Sequence, residues 1–184
     1  STRKESSAAS DVYKRQVRVH PMLIPERHPL ASVNDSFNAV FVHGDAVDDA
    51  MFYGRGAGEL PTASAVVGDI FDIARNLQYE CCGRISCTCY KQLPIKAMDD
   101  ICSKYFLRML VENEPGVLAA VTAVFGDRKV SIEQIIQKKK IGELAEIVVI
   151  TEKVKERHVK DSLKAFEEMT AVKKVSSVIR VYGE

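Results

Sequence analysis

Tryptophan is absent from this 184-residue sequence, and a strong net charge of either sign is absent as well. The 26 Lys and Arg residues nearly balance the 25 Asp and Glu residues, so the formal net charge is +1 at pH 7. A chain this close to neutral has no electrostatic basis for binding nucleic acid or an anionic membrane surface. We therefore expect no nucleic-acid partner and no membrane partner.

Long apolar runs are also missing from the sequence. No stretch approaches the ~20 apolar residues that a helix needs to cross a bilayer, and no secretory signal peptide is visible. Because the five cysteines come without a secretion signal, we expect reduced thiols and a cytoplasmic location. Four of them form the pattern Cys-Cys-x4-Cys-x-Cys over residues 81–89. This spacing matches no common zinc pattern, so no metal site is predicted.

The N-terminal segment, residues 1–16, is polar, rich in Ser and Ala, and shows neither helical nor strand periodicity. Within it, residues 11–16 (DVYKRQ) resemble the in-frame translation of a transposase adapter used in sequencing libraries. We interpret the segment as a non-native start, with natural sequence expected from about Val17. A genuine disordered N-terminal tail is the alternative, and either interpretation sets the segment apart from the fold.

A glycine-rich segment, Gly54–Gly58, is the most informative stretch of the chain. It follows the apolar run Met51–Tyr53, and it precedes Pro61, at which a helix can begin. We predict a short strand, a tight loop and a helix with apolar residues at helical spacing. These apolar residues are Val66, Ile70, Ile73 and Leu77. Backbone N–H groups at this helix start could meet a phosphate or carboxylate. A tight structural turn explains the pattern equally well, and the spacing is not GxGxxG.

Two further strands are predicted before the glycine segment. Alternation over residues 17–20 predicts one of them, and residues 37–43, apolar on both faces, predict another near the centre of a sheet. His20, His28 and His43 lie on these strands and turns without metal-ligand spacing. We interpret the three histidines as solvated groups and polar caps.

These motifs together resemble the C-terminal part of homoserine dehydrogenase. The resemblance runs from about residue 17 to residue 76 and rests on VRVHP (17–21), HPLA (28–31), NAV (38–40), GDAV (44–47), GRGAG (54–58) and PTASAV (61–66). It implies that this segment leads from the substrate domain back to the nucleotide-binding domain. It also implies that Gly58, with Gly56 and Ala57, lies against a nicotinamide cofactor, either NADP or NAD. The family's catalytic lysine would lie upstream of residue 17, so no residue here is assigned a catalytic role.

A second unit, residues 104–184, is predicted after a linker over residues 77–103. Apolar periodicity predicts strands at 105–111, 130–137, 145–149 and 175–182, and helices at 117–125 and 159–170. The order βαββαβ corresponds to an open four-stranded antiparallel sheet with both helices on one face. Residues 90–95 could add an edge strand. The expected fold class of the whole chain is therefore α+β.

This order, with the sequence NEPGVLA at 113–119, resembles an ACT domain, a small amino-acid-sensing module that commonly pairs side by side. The resemblance implies an effector site where loop N–H groups hold a carboxylate. Its residues would be Asn113, Gly116, Val117 and Leu118, with Ser131 and Ile132 across the pairing interface. Many regulatory ACT domains have asparagine at the position of Ser131, and a purely structural dimerisation role is the alternative.

The two resemblances imply a C-terminal fragment of an NAD(P)-dependent homoserine dehydrogenase. Such an enzyme interconverts L-homoserine and L-aspartate 4-semialdehyde in threonine and methionine biosynthesis. L-Threonine is the expected allosteric effector, and a homo-oligomer formed through the ACT domain is the expected assembly. The fragment alone is expected to be inactive. The alternative is an amino-acid-binding regulatory subunit that acts in trans, which leaves residues 17–76 unexplained.

Overall fold

A computed structural model describes residues 4–11, 14–81 and 94–183 of the chain. Two compact units are present, one formed by residues 1–24 with 93–184 and the other by residues 25–92. The elements in chain order are β1 (Lys4–Asp11), β2 (Lys14–Leu23), β3 (Phe37–Gly44), β4 (Asp48–Arg55), α1 (Glu59–Gln78), β5 (Cys102–Glu112), α2 (Val117–Asp127), β6 (Ile132–Ile141), β7 (Leu144–Thr151), β8 (Val154–Lys155), α3 (Glu156–Glu168) and β9 (Val172–Val181). None of the helices in the described ranges has the length and apolar character needed to cross a membrane.

The larger unit is built around the predicted βαββαβ order, which the structure confirms. Its sheet has the strand order β1-β2-β9-β5-β7-β6, and the short strand β8 pairs with β5. The four strands β9, β5, β7 and β6 pair antiparallel with their neighbours. The central strand β5 is therefore flanked on both edges, and the chain crosses the sheet through α2 and α3.

The core of the larger unit lies between one face of the sheet and both helices. Every second residue of β5 is buried, with Tyr105, Leu107, Met109 and Val111 each at most 2% exposed. This is the period of two that places alternate side chains on one face of a strand. Phe125 of α2 and Phe166 of α3 join the same cluster, with their ring centroids 5.0 Å apart in an edge-to-face arrangement.

Strand β2 extends this sheet beyond the four predicted strands. It lies parallel to β9, with Met22 opposite Arg180 and Leu23 opposite Val181. The amide of Tyr182 donates a hydrogen bond of 2.8 Å to the carbonyl of Leu23. The alternation over residues 17–20 is therefore a genuine strand signal, although its partner strand could not be inferred from the sequence.

Residues 1–16, expected to stand apart from the fold, contain a strand. Strand β1 forms an antiparallel hairpin with β2, so the interpretation as a segment without strand structure is wrong for Lys4–Asp11. Antiparallel pairing joins backbone N–H and C=O groups. A stretch rich in Ser and Ala can therefore pair without the apolar alternation that identifies a strand in a sequence. The non-native origin of these residues stays a prediction.

The smaller unit consists of a two-stranded sheet, β3 with β4, followed by α1. The predicted strand–loop–helix order is confirmed, and the expectation that residues 37–43 lie near the centre of a larger sheet stays a prediction. Within the described residues β3 pairs with β4 alone, and Val40 and Val42 are 61% and 41% exposed. Helix α1 buries none of its residues. The apolar residues of β3 and α1 would normally be buried against other elements. The smaller unit does not contain enough structure to bury them.

The predicted linker, residues 77–103, falls partly outside the described residues. Cys82, Cys87 and Cys89, together with most of the strand predicted at 90–95, lie in the range 82–93 that the structure does not describe. The two remaining cysteines, Cys81 and Cys102, are exposed free thiols. Helix α1 extends to Gln78, so the linker begins slightly later than the sequence predicts.

Phe166→Ala is expected to lower the free energy of unfolding by about 3–5 kcal/mol, because it removes a fully buried ring that contacts Phe125. Val178→Ala, at a position of β9 that is 39% exposed, is the matched control and should cost roughly 0.5 kcal/mol or less. Urea denaturation of the chain measures both values. Equal losses for the two variants would contradict this placement of the core.

Candidate functional site

Gly54 at the end of β4 and the two glycines of the loop after it differ in what the structure requires at their positions. At Gly56 an added Cβ would overlap the side chain of Asn38, since it would lie 2.9 Å from the Asn38 Cγ atom. At Gly58 the backbone φ is +128°, a value that L side chains rarely adopt. Gly54 has open space around it and a φ that any residue can adopt. Close approach therefore explains Gly56, and backbone conformation explains Gly58.

Helix α1 begins directly after this loop, with Gly58 as its N-cap. Both the amide and the hydroxyl of Thr62 donate to the Gly58 carbonyl, at 3.2 and 2.7 Å. Because glycine has no side chain, it cannot accept from the amides of Glu59 and Leu60, which lack partners within the helix. The carboxylate of Glu59 lies in the same first turn.

Aromatic contacts hold the two strands that support the loop. The rings of Phe37 and Tyr53 stack with their centroids 4.8 Å apart. The guanidinium of Arg55 lies 4.8 Å from the centroid of the Phe37 ring and donates to the hydroxyl of Ser36 at 3.2 Å. The end of β4 is thus fixed against β3 immediately before the chain enters the loop. Ala57 is exposed between the two glycines that have structural roles.

The three histidines differ in environment. His28 accepts a hydrogen bond of 3.2 Å from the amide of Leu30, which confirms a polar cap. His43 pairs with Asp49 at 2.8 Å, and both side chains are exposed. His20, however, is only 7% exposed, so the interpretation of a solvated group is wrong for this residue. It lies on β2, and the alternation of that strand turns it inward.

The loop between β5 and α2 and the start of α2 carry four of the six residues predicted for an effector site, Asn113, Gly116, Val117 and Leu118. Gly116 is the N-cap of α2 in the left-handed conformation, with φ +90°. The amide of Asn113 donates to the carbonyl of Glu143 at 3.1 Å, and its side-chain oxygen accepts from Gln137 at 3.2 Å. A small open pocket of about 40 Å³ lies here, with Asn113, Val117 and Leu118 among its lining residues. That volume holds at most a few water molecules.

Ser131 and Ile132 lie at the other end of the sheet from this loop. Ile132 is opposite Thr151 in the β6–β7 pairing, whereas Leu144 at the other end of β7 is opposite Glu112, next to Asn113. At ~3.3 Å per residue the two ends are roughly 25 Å apart. One chain therefore does not bring Ser131 and Ile132 to the loop. Their predicted role across a pairing interface requires a second chain.

The structure contains a buried polar cluster at the start of α3 that was not predicted from the sequence. Glu156 accepts hydrogen bonds from the hydroxyl of Tyr105 and, at 2.6 Å, from the guanidinium of Arg180. Burial and the hydrogen bond to Glu156 raise the pKa of Tyr105 well above its ordinary value. Burial alone would raise the pKa of Glu156, but the hydrogen bonds from Tyr105 and Arg180 overcome it and hold that pKa below its usual range. A tyrosine at a core position of β5 was the available signal, because its buried hydroxyl needs a partner.

The fold is thus a strand–glycine-loop–helix segment followed by a small domain of βαββαβ order. Residues 105–170 match the family model of the ACT domain, which confirms the predicted fold of the larger unit. Residues 3–71 match the family model of homoserine dehydrogenase, a match that includes β1. The chain is thus similar to homoserine dehydrogenases over its first part and to ACT domains over its last part.

Known homoserine dehydrogenases support both matches. The homoserine dehydrogenase of Neisseria gonorrhoeae is 42% identical over 172 residues, which cover 90% of this chain and 40% of that protein. The enzyme of Bacillus subtilis is 39% identical over 178 residues, 96% of this chain and 41% of that protein. A crystal structure of the enzyme from Thiobacillus denitrificans is 34% identical with a TM-score of 0.83, covering 97% of this chain and 42% of its own. The chain spans about two fifths of the length of these relatives.

Gly116→Ala is expected to lower the free energy of unfolding by about 1–2 kcal/mol, because an L residue is strained at this left-handed position. No clash contributes, since an added Cβ would meet nothing within 4 Å. Gly126→Ala, inside α2 and equally unobstructed, is the matched control and should stabilise by about 0.4–1 kcal/mol. Chemical denaturation measures both. A neutral or stabilising effect of Gly116→Ala would contradict a conformational reason for this glycine.

Proposed function

We propose that the chain forms part of a homoserine dehydrogenase that interconverts L-homoserine and L-aspartate 4-semialdehyde with NADP or NAD. The observation that carries this proposal is the identity of 42% to the Neisseria gonorrhoeae enzyme over 90% of this chain. A role in threonine and methionine biosynthesis, in the cytoplasm, follows from that family. The alternative, an ACT regulatory subunit that acts in trans, gives no account of the match over residues 3–71.

The glycine loop is proposed to hold the nicotinamide end of the cofactor. The cofactor supplies the hydride transfer when it is bound. Gly58 would offer a surface without a side chain, and the amides of Glu59 and Leu60 would be available to the carboxamide of the ring. The Glu59 carboxylate disfavours a phosphate at this position. The pyrophosphate and the groups that transfer the substrate proton are therefore assigned to the part of the enzyme that lies outside this chain.

The activity test compares this chain with a full-length enzyme that carries its sequence. The 184-residue chain alone is expected to give no cofactor-dependent oxidation of homoserine, and the full-length enzyme is expected to be active. Turnover by the chain alone would contradict the assignment of the catalytic groups to another part of the protein. No turnover by the full-length enzyme would contradict the proposed reaction.

Within that full-length enzyme, Gly58→Val is expected to raise the KM for the cofactor at least about tenfold and to leave the KM for homoserine nearly unchanged. A branched side chain would occupy the surface assigned to the ring and would strain the backbone. Gly68→Ala, on α1 with open space around it, is the control. An equal rise in both KM values, or unchanged kinetics, would leave Gly58 with a structural role alone.

The ACT domain is proposed to bind L-threonine in a homo-oligomer. A pocket of about 40 Å³ is far smaller than the ~300 Å³ or more of typical ligand sites. The loop amides after Gly116 and the side chain of Asn113 would form half of the site. Ser131 and Ile132 of a second copy would complete it across the pairing interface. This arrangement accounts for predicted site residues that lie far apart in one chain.

L-Threonine is expected to raise the melting temperature of the chain with increasing ligand concentration. At a hundredfold excess over the dissociation constant, a ligand that binds the folded state alone adds ~2.7 kcal/mol of stability. Asn113→Ala should reduce the shift, and Gln134→Ala, at an exposed position of β6, should retain it. Differential scanning calorimetry measures the effect. If threonine, methionine, isoleucine and lysine all leave the melting temperature unchanged, the domain has a structural role only.

A further inference from the structure

Strand β2 is held to the ACT sheet by a short contact. Two register pairs join it to β9, and the Tyr182 amide donates to the Leu23 carbonyl at 2.8 Å. Beside this pairing, the guanidinium of Arg18 donates to the hydroxyl of Ser103 at 2.6 Å. One residue after β2, at Ile24, the larger unit ends and the smaller unit begins. The contact therefore fixes the end of the strand from which the chain enters the smaller unit.

His20 lies buried on this strand, with 7% of its surface exposed. Its Nδ1 atom is 2.9 Å from the carbonyl oxygen of Pro21. A carbonyl can accept but not donate, so Nδ1 carries the proton in the neutral ring and Nε2 is the basic nitrogen. Nε2 is buried and has no hydrogen-bond partner among the described residues. A proton added at Nε2 would create a buried N–H group without an acceptor.

The charged groups around His20 also oppose a positive ring. Arg18 on its own strand and Arg180 on β9 are both cationic, while Glu156 on α3 is the carboxylate among the described side chains that acts on the ring. In the pairing of β1 with β2, Glu5 lies opposite His20. Glu156 already accepts from Arg180 and from the hydroxyl of Tyr105 on β5. Protonation of His20 would therefore add a third cation to a cluster whose carboxylate is already engaged.

We propose that neutral His20 is a pH-sensitive latch that keeps β2 docked against β9, and that protonation of its ring releases the strand. Burial, followed by the charges of Arg180 and Arg18, lowers the pKa of His20 below its ordinary 6.5. A released or unfolded strand binds the proton more tightly than the docked strand. Docking is thus fully stable above about pH 6.5 and weakens as the pH falls through the lowered pKa. The latch is independent of the reaction that the chain serves.

Amide hydrogen exchange of the intact chain tests the latch. The protection factor of the Tyr182 amide, which corrects for the intrinsic pH dependence of exchange, should fall severalfold, up to a limit of about tenfold, between about pH 7.5 and about pH 5.5. Amides of the core strands, such as that of Leu107, should lose much less protection. His20→Gln, which cannot titrate, should abolish the fall. His158→Gln, at a histidine on α3, should retain it.

Two results would overturn the latch. One is a Tyr182 protection factor that does not fall in the unaltered chain, and the other is an equal fall in His20→Gln. Should His20→Gln fail to fold, nuclear magnetic resonance titration of the His20 ring in the unaltered chain decides the question. A ring pKa below the ordinary 6.5 supports the latch. A ring pKa at or above that value overturns it.

Discussion

Packing of α2 and α3 against one face of β5 is the constraint on which the larger unit depends. Tyr105 to Val111 supply alternate buried side chains, and Phe125 and Phe166 cover them from the helices. The same strand carries Ser103 and Tyr105 at one end and leads to Asn113 at the other. Its burial therefore fixes two places at once, the loop proposed for an effector and the polar cluster beside β2.

Periodicity identified this part of the fold because the burial that stabilises it also produces the pattern. The helix faces around Val121 and Val159 and the alternation of β5 each record contact with one core. The pairing of β2 with β9 produces no periodic pattern in the sequence, because it joins backbone groups of residues that lie far apart in the chain. The burial of His20 was missed for the same reason.

The glycines show how far the sequence could predict the site. Alternate glycines before a proline indicated a loop in which either close approach or a positive φ is required. The structure assigns close approach to Gly56 and the positive φ to Gly58. The sequence alone could not separate them, because the difference depends on where Asn38 lies on the neighbouring strand. Likewise, the distance between Gly116 and Ser131 depends on the register of β6 with β7.

The two units differ in how much of their apolar surface they bury. Helices α2 and α3 bury phenylalanine rings, whereas Ile70, Phe71 and Leu77 of α1 are 59%, 60% and 74% exposed. A protein that folds alone rarely exposes so many neighbouring apolar side chains, and a two-stranded sheet with one helix is too small to bury them. The relatives are more than twice as long as this chain, and the unmatched part of such an enzyme would supply the missing cover. The surface that requires that cover adjoins the glycine loop in sequence, so a contact that buries α1 would also lie beside the cofactor site proposed at Gly58.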